Sequence, residues 1–217
     1  MKQKCNNEWC WMNKISSKLN HKEIFRPEKP KLWNKKEREW LDSINISDVM
    51  KQYEEKHKDF IFIGPVPIDF DLKNNFGNCV VDELCKTNLD TLIKKGKTQI
   101  GIIFNLDKHD ESGSHWVALY CNTKKSQINY FDSYGMEPED EIKTLMNRFH
   151  DKLEARNKKC TIEVNTKRHQ YKGTECGVYC LYFIITMLSN KMIFSKFCNN
   201  HMPDDKIFKQ RSMLFIS

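Results

Sequence analysis

Apolar positions concentrate in three successive segments, residues 99–105, 115–121 and 128–132, each rich in β-branched and aromatic residues and separated by polar turns. They predict a meander. Upstream, residues 60–63 read as a further strand, stopped by Gly64-Pro65; residues 161–164 read as a short one. Helical spacing takes over elsewhere. Ser47 is placed to cap a helix through DVMKQYEEKHK, with Val49, Met50 and Tyr53 on its apolar stripe. Residues 82–95 read as one helix ended by Gly96, with lysines in the last turn where the helix dipole favours them. Residues 138–156 form a long amphipathic helix with Leu145 and Phe149 on one face. Residues 176–190 are apolar nearly all round and predict a buried helix. The expected fold class is α+β: a small central mixed or antiparallel sheet flanked by helices.

The chain has no internal repeat and no low-complexity linker. Residues 1–34 read as an N-terminal arm packing on the domain, because Trp9 and Trp11 need cover and residues 25–30 form a Pro-broken extended stretch. Residues 35–217 are the expected domain.

At 217 residues, with 39% hydrophobic and 30% charged positions, the chain has the composition of one globular domain. Its longest apolar run, residues 178–188, falls short of the ~20 residues that span a bilayer, so no membrane role is expected. The first residues, MKQKCNNEWCWMNK, lack the apolar core of a secretory signal, and a soluble intracellular protein is expected. Nine cysteines should then stay reduced. Cys79, Cys85, Cys121, Cys160 and Cys198 show no partner spacing and read as buried or incidental thiols, and Cys180 as core. Cys10 fits either packing or a disulfide to another chain. Neither Cys5 with Cys10 nor Cys176 with Cys180 is followed by a matching pair or histidines at zinc-ligand spacing, so no metal or other cofactor is expected. The net charge of +7 comes with lysine clusters near Lys35, Lys94, Lys124 and Lys158, at or between element ends. A solvated surface explains them, and DNA as an activator or track is the sharper alternative.

The stretch HQYKGTECGVYCLYF, residues 169–183, changes the picture. Cys176 sits where a polar loop becomes an apolar helix, and a helix N-terminus favours the thiolate. Gly173 and Gly177 keep its approaches narrow and give a substrate backbone close access. A base must take the proton. Of seven histidines, His115 stands out because it opens HWVALY straight after the Gly113-Ser114 turn, although a surface histidine beside a core tryptophan is the plainer alternative. The next strand ends in Asp132. If the two strands pair as antiparallel neighbours, Asp132 lies beside His115 and can orient the imidazole; taken alone, an FDS ending a strand is more often a turn-initiating aspartate. Gln170 offers a side-chain amide that, with the Cys176 N–H, suits an oxyanion. His169 reads as a loop residue.

Together GSHWVALY, NYFDSYG and QYKGTECGVY resemble the cysteine proteases of the adenain and SUMO-protease clan. Those enzymes carry His, Asp or Asn, Gln and Cys in this order, with a Q-x-x-G-x-[DE]-C-G box matched here by Gln170, Gly173, Glu175, Cys176 and Gly177. Glu175 stands where SUMO proteases commonly have Asp, a change expected to touch loop packing rather than chemistry. Trp40-Leu41-Asp42 resembles the family's W-L-[ND] segment, whose tryptophan helps clamp a substrate diglycine; Trp116 would be the other wall. The resemblance covers roughly residues 38–190. Within the clan, FIFIGPVPIDFD and the tryptophan-rich arm are most similar to thiol proteases of large eukaryotic DNA viruses.

The resemblance implies a monomeric cysteine endopeptidase of the clan's fold, with His115, Asp132, Cys176 and Gln170 catalytic and Trp40, Trp116, Gly173 and Gly177 at the substrate. The substrate is then a protein with a Gly-Gly-X or other small-residue site, cleaved after the small residue. It also implies virion maturation in host cytoplasm and virion. Removal of SUMO or another ubiquitin-like tag is the alternative. Two readings without catalysis stay open: an inactive binding module of the same fold, and a nucleic-acid-binding protein using the basic surface.

Overall fold

The computed structural model describes residues 26–156 and 159–216; Cys5, Trp9, Cys10, Trp11 and the expectations attached to them lie outside the described residues. Its elements, in chain order, are α1 (Ser43–Lys56), β1 (Phe60–Pro67), α2 (Asp82–Cys85), α3 (Leu89–Lys94), β2 (Gln99–Asn105), β3 (Trp116–Asn122), β4 (Gln127–Phe131), α4 (Asp140–Glu154), β5 (Thr161–Val164), α5 (Cys176–Leu188), α6 (Phe194–Asn199) and α7 (Asp204–Leu214). The strands form one sheet in the order β1-β2-β3-β4-β5. β2, β3 and β4 are the antiparallel meander; β1 joins β2 and β5 joins β4 in parallel. The α+β class with a mixed sheet is as expected.

Both faces of the sheet are covered. Every residue of β3 and all but the last of β2 are buried, which is why these strands read as nearly continuous apolar runs. One face carries Ile103, Ala118, Tyr120 and Phe131 against α5, α6 and α7. The other carries Ile102, Phe104, Leu119 and Tyr130 against the apolar stripe of α4. Gly101 marks the tightest approach. A Cβ there would come within 2.9 Å of the Phe60 ring and 3.1 Å of Ile184 on α5.

Several boundaries differ from the sequence expectation, each for a local reason. Asp42, not Ser47, caps α1: its carboxylate accepts the Asn45 N–H at 2.8 Å while the Asn45 side chain accepts from the Asp42 N–H. The Ser47 hydroxyl instead donates to Ser43 O one turn back. β1 does not stop at Gly64-Pro65; it passes through a cis peptide and a register irregularity between Ile63 and Val66 and continues to Pro67. The helix expected over residues 82–95 is two helices, because the Asn88 side chain accepts from the N–H groups of Asp90 and Thr91 and starts α3 afresh. Cys79 and Cys85 were read as thiols without partners; they form a disulfide, their Cα atoms 6.3 Å apart.

Past residue 190 the pattern was not read, and there α6 and α7 close the α5 face. Residues 27–34 dock on the end of α7. Lys29 N–H donates to Ile216 O at 3.0 Å, Ile216 N–H to Pro27 O at 2.9 Å, and Trp33 meets the Phe215 ring edge-on at 4.9 Å. Among the described residues, no helix is long and apolar enough to cross a membrane.

Phe131 joins sheet, α5 and α6, with its ring 5.2 Å from Phe183 and 5.3 Å from Phe197. Phe131→Ala is expected to cost about 3–5 kcal/mol of stability. Chemical denaturation measures it, and a loss below about 1 kcal/mol would contradict the packing described.

Candidate active site

The register pairs Ala118 with Phe131, so the end of β4 lies beside the start of β3. One residue past β4, Asp132 reaches back to His115, its Oδ1 2.6 Å from the imidazole Nε2. The carboxylate is 1% exposed, so water does not compete for it. It also holds its own turn: Oδ1 accepts Tyr134 N–H at 2.9 Å and Oδ2 accepts Met136 N–H at 3.1 Å. With Nε2 engaged, Nδ1 is the ring nitrogen left for a second partner. The Cys176 side chain lies near enough to the same imidazole to help raise its pKa.

Burial alone would depress the His115 pKa. The hydrogen bond with Asp132, the nearby Cys176 side chain and the negative charge of both outweigh it, raising the pKa from 6.5 to about 9. The imidazole is thus built to carry a proton between a carboxylate and a sulfur. Tyr134 stacks on it at 4.6 Å, fixing the plane of the ring.

Cys176 is the first residue of α5 and is 2% exposed. The loop ahead of it is clamped twice by α7. Asp204 Oδ2 accepts the N–H groups of Tyr171 at 3.0 Å and Lys172 at 3.2 Å. Seven residues on, Arg211 Nε donates to Glu175 Oε2 at 2.9 Å, a pair buried on both sides. The Arg211 guanidinium also lies 4.4 Å over the Trp33 ring. Glu175 therefore anchors the loop immediately before the cysteine, in keeping with a packing role.

Gln170 is fully buried. Its Oε1 accepts from Ser133 Oγ at 2.7 Å and its Nε2 donates to Lys172 O at 2.6 Å, which leaves one amide N–H for another acceptor. Trp40 and Trp116 line one cavity of about 390 Å³ with Asn105, Ser112 and Gly113. Trp116 Nε1 donates to Leu41 O at 3.0 Å, which fixes that indole, while Trp40 stays partly exposed. A Cβ on Gly177 would sit 3.1 Å from Leu41 and 3.3 Å from Trp116, so glycine lets α5 approach this wall; a Cβ on Gly173 would meet nothing within 4 Å.

His115, Asp132 and Cys176 thus come together, with Gln170 on the clamped loop and the two tryptophans on one cavity. Sequence reasoning missed Tyr134, Asp204 and Arg211. Tyr134 lies inside NYFDSYG and was within reach, whereas nothing local ties Asp204 or Arg211 to a loop some 30 residues earlier. His169 is more than a loop residue: it is buried among Phe131, Phe197 and His201, and burial pushes its pKa down. His109, itself exposed, forms a second pair, Nδ1 to Oδ2 of the buried Asp69 at 2.7 Å. Among the described residues no group of His, Cys, Asp and Glu is arranged to hold a metal ion.

A family model described as YopJ serine/threonine acetyltransferase matches residues 12–213. A protein of Acanthamoeba polyphaga mimivirus named "Putative thiol protease" is 34% identical over 192 residues, covering 88% of this chain and 60% of that protein. A protein of African swine fever virus named "SUMO-1 cysteine protease" is 30% identical over 126 residues, covering 57% of this chain and 46% of that protein. The chain spans less than two thirds of the length of these relatives. Among solved structures, an African swine fever virus protease superposes with a TM-score of 0.72 at 23% identity, over 88% of this chain and 71% of that one. The Ulp1 protease domain bound to the yeast ortholog of SUMO gives 0.56 at 17%, over 82% and 75%. The fold is therefore of the expected SUMO-protease type.

A histidine pKa raised by folding stabilises the fold fully below 6.5, and that contribution is lost as pH rises through about 9. In Asp132→Asn the charge that favours the imidazolium is gone, so His115 should titrate below its wild-type midpoint. NMR of the His115 ring and the pH dependence of Cys176 alkylation both read this. A midpoint unchanged or raised in Asp132→Asn would overturn the account. Separately, Arg211→Met leaves the buried Glu175 carboxylate with Arg38, at 3.8 Å, as its remaining cationic partner and should cost about 3 kcal/mol in denaturation; a neutral result would remove the Arg211–Glu175 pair as a clamp on the loop.

Proposed function

The chain belongs to the family described as YopJ serine/threonine acetyltransferase, and within it we propose a cysteine endopeptidase that cleaves after Gly or another small residue. One observation carries this reading: a buried imidazole bonded to Asp132, with its pKa raised by that bond and by the nearby Cys176 side chain.

In the proposed mechanism the His115 Nδ1 holds the proton of Cys176, and the sulfur attacks the scissile carbonyl carbon. The free Gln170 N–H and the Cys176 backbone N–H stabilise the oxyanion. As the tetrahedral intermediate collapses, the C–N bond breaks and His115 delivers its proton to the leaving amine. The acyl group is now a thioester on Cys176. A water molecule gives its proton to His115, attacks the thioester and releases the carboxylic acid and the Cys176 thiolate, returning the thiolate–imidazolium pair. Asp132 stays ionised throughout and keeps Nε2 engaged.

The cavity between the Trp40 and Trp116 indoles supports a small residue before the scissile bond. Relatives from two large DNA viruses support viral structural precursors as substrates, with action in host cytoplasm and virion. The name of the African swine fever virus relative and the Ulp1 complex support a ubiquitin-like tag as the rival substrate. A second reaction has its own support in the family's description: transfer of an acetyl group through the same thioester to a Ser or Thr hydroxyl instead of water.

The test uses Gly-Gly-X peptides, a SUMO fusion, and a Ser/Thr peptide with an acetyl thioester donor, each against wild type and Cys176→Ala. Cleavage after the second Gly by wild type alone is expected, with Val at that position lowering kcat/KM by about tenfold or more. Acetylated peptide without cleavage would establish the transfer reaction instead. Equal rates for Gly and Val would remove the indole clamp.

A further inference from the structure

The turn after β4 brings a further face to the site, carrying Tyr134 against His115. Asp132 folds it: besides the two N–H groups on its carboxylate, Asp132 O accepts from Gly135 N–H at 3.0 Å. Gly135 has φ +73°, and a Cβ there would lie 2.7 Å from the Lys167 carbonyl carbon and 2.9 Å from the Arg168 nitrogen. Only glycine allows the turn to lie so close on residues 167–168. Asn165 ties the same two segments, donating from Nδ2 to Asp132 O at 2.7 Å and to Lys167 O at 2.8 Å. The backbone position of Arg168 is therefore set relative to Asp132, and through it to His115.

The Arg168 side chain is fixed as well. Nε donates to Gln170 O at 2.8 Å, and the guanidinium carbon lies 5.2 Å from the Tyr134 ring and 4.9 Å from the Tyr171 ring. Tyr134 is the ring stacked on His115, so the guanidinium stands one aromatic ring away from the imidazole. The neighbouring charges are already engaged: Asp132 with His115, Asp204 with the loop backbone, Lys172 with Asp205, and Lys167 with Asn199. Among the described residues no carboxylate forms an ion pair with Arg168. A guanidinium held by two rings and a carbonyl, whose Nη groups make no hydrogen bond among the described residues, offers the fork that matches a carboxylate.

We propose that Arg168 is a substrate-binding residue whose guanidinium, set between Tyr134 and Tyr171 beside His115, binds an acidic side chain of the substrate within the first three residues after the scissile bond. The inference rests on the peptidase reading, which puts the small residue between the indoles and sends the leaving-group side over Tyr134. At ~3.3 Å per extended residue, a chain leaving Cys176 in that direction passes the guanidinium within about three residues. Arg168 is exposed, so the preference is expected to be about fivefold to tenfold and to weaken as salt is raised.

Peptides with Gly before the scissile bond and Glu, Gln or Lys at each of the three following positions test it. Wild type, Arg168→Ala and Arg168→Glu are compared by kcat/KM, and binding of the same peptides to Cys176→Ala, with and without Arg168→Ala, by calorimetry. Expected are a Glu-over-Gln preference at one position in wild type, carried mainly by KM, its loss in Arg168→Ala, and a turn toward Lys in Arg168→Glu. If no peptide is cleaved yet Cys176→Ala favours Glu only when Arg168 is present, the site stands and the peptidase reading falls. A Glu-to-Gln ratio near one in both assays, or one that survives in Arg168→Ala, overturns the proposal. So does a ratio near one accompanied by loss of salt-dependent duplex DNA binding in Arg168→Ala, which would assign the residue to nucleic acid.

Discussion

The position of one buried helix against one strand governs everything at the site. Eleven of the thirteen residues of α5 are buried, which leaves this helix almost no freedom to slide once packed on β2 and β3. Gly101 in the sheet and Gly177 in the helix remove the side chains that would otherwise hold the two apart. Cys176 is the first residue of that helix and Trp116 the first of β3, so packing in the core fixes the sulfur relative to His115. The chemistry is set by hydrophobic burial some distance away. A well-packed core has discrete arrangements rather than a continuum, and a site tied to it inherits that definition.

Asp132 then organises what lies above the core. Its two carboxylate oxygens and its carbonyl accept from one imidazole and three N–H groups of its own turn and from the Asn165 side chain. A carboxylate so fully satisfied can stay buried and ionised. The same residue that polarises His115 therefore also shapes the turn carrying Tyr134 and Gly135, and the ring orientation and the charge are not independent properties. The arrangement is indifferent to what resolves an acyl group on Cys176. Water and a hydroxyl present the same oxygen nucleophile to the same base, which is how one family can be described by acetyl transfer while relatives of this chain are named as proteases.

What the sequence revealed tracked how local the cause was. The meander was legible because β2 and β3 are buried on both sides and read as apolar runs bounded by turns. Adjacent strands in sequence are adjacent in the sheet, so His115 and Asp132 could be brought together from spacing alone. Caps and breaks were read less well, since competing local bonds decide them: Asp42 with Asn45 outcompetes Ser47, and Asn88 restarts what residues 82–95 suggested was one continuous helix. Gly64-Pro65 stopped the strand on paper because a proline normally removes a ladder bond; β1 lies at the sheet edge, where that loss is tolerated. The Cys79–Cys85 pair was invisible because proximity there depends on how residues 72–80 fold back, not on spacing. Least legible of all was α7.

That last omission concerns the site more than the fold. Asp204 and Arg211 are seven residues apart, two turns along one helix face. One grips the backbone at Tyr171–Lys172 and the other the Glu175 side chain, so a single rigid element spans the loop from Gln170 to Cys176. Arg211 stacks on Trp33, and Ile216 pairs with Pro27 and Lys29, so the segment before α1 is coupled to the same helix. A buried ion pair seldom adds net stability over an apolar replacement. Its worth here is directional: a carboxylate and a guanidinium meet in one geometry, whereas two apolar side chains would accept several. Losing that geometry would let the loop between Gln170 and Cys176 shift while the core stayed packed, and the amide and the sulfur would no longer share one carbonyl.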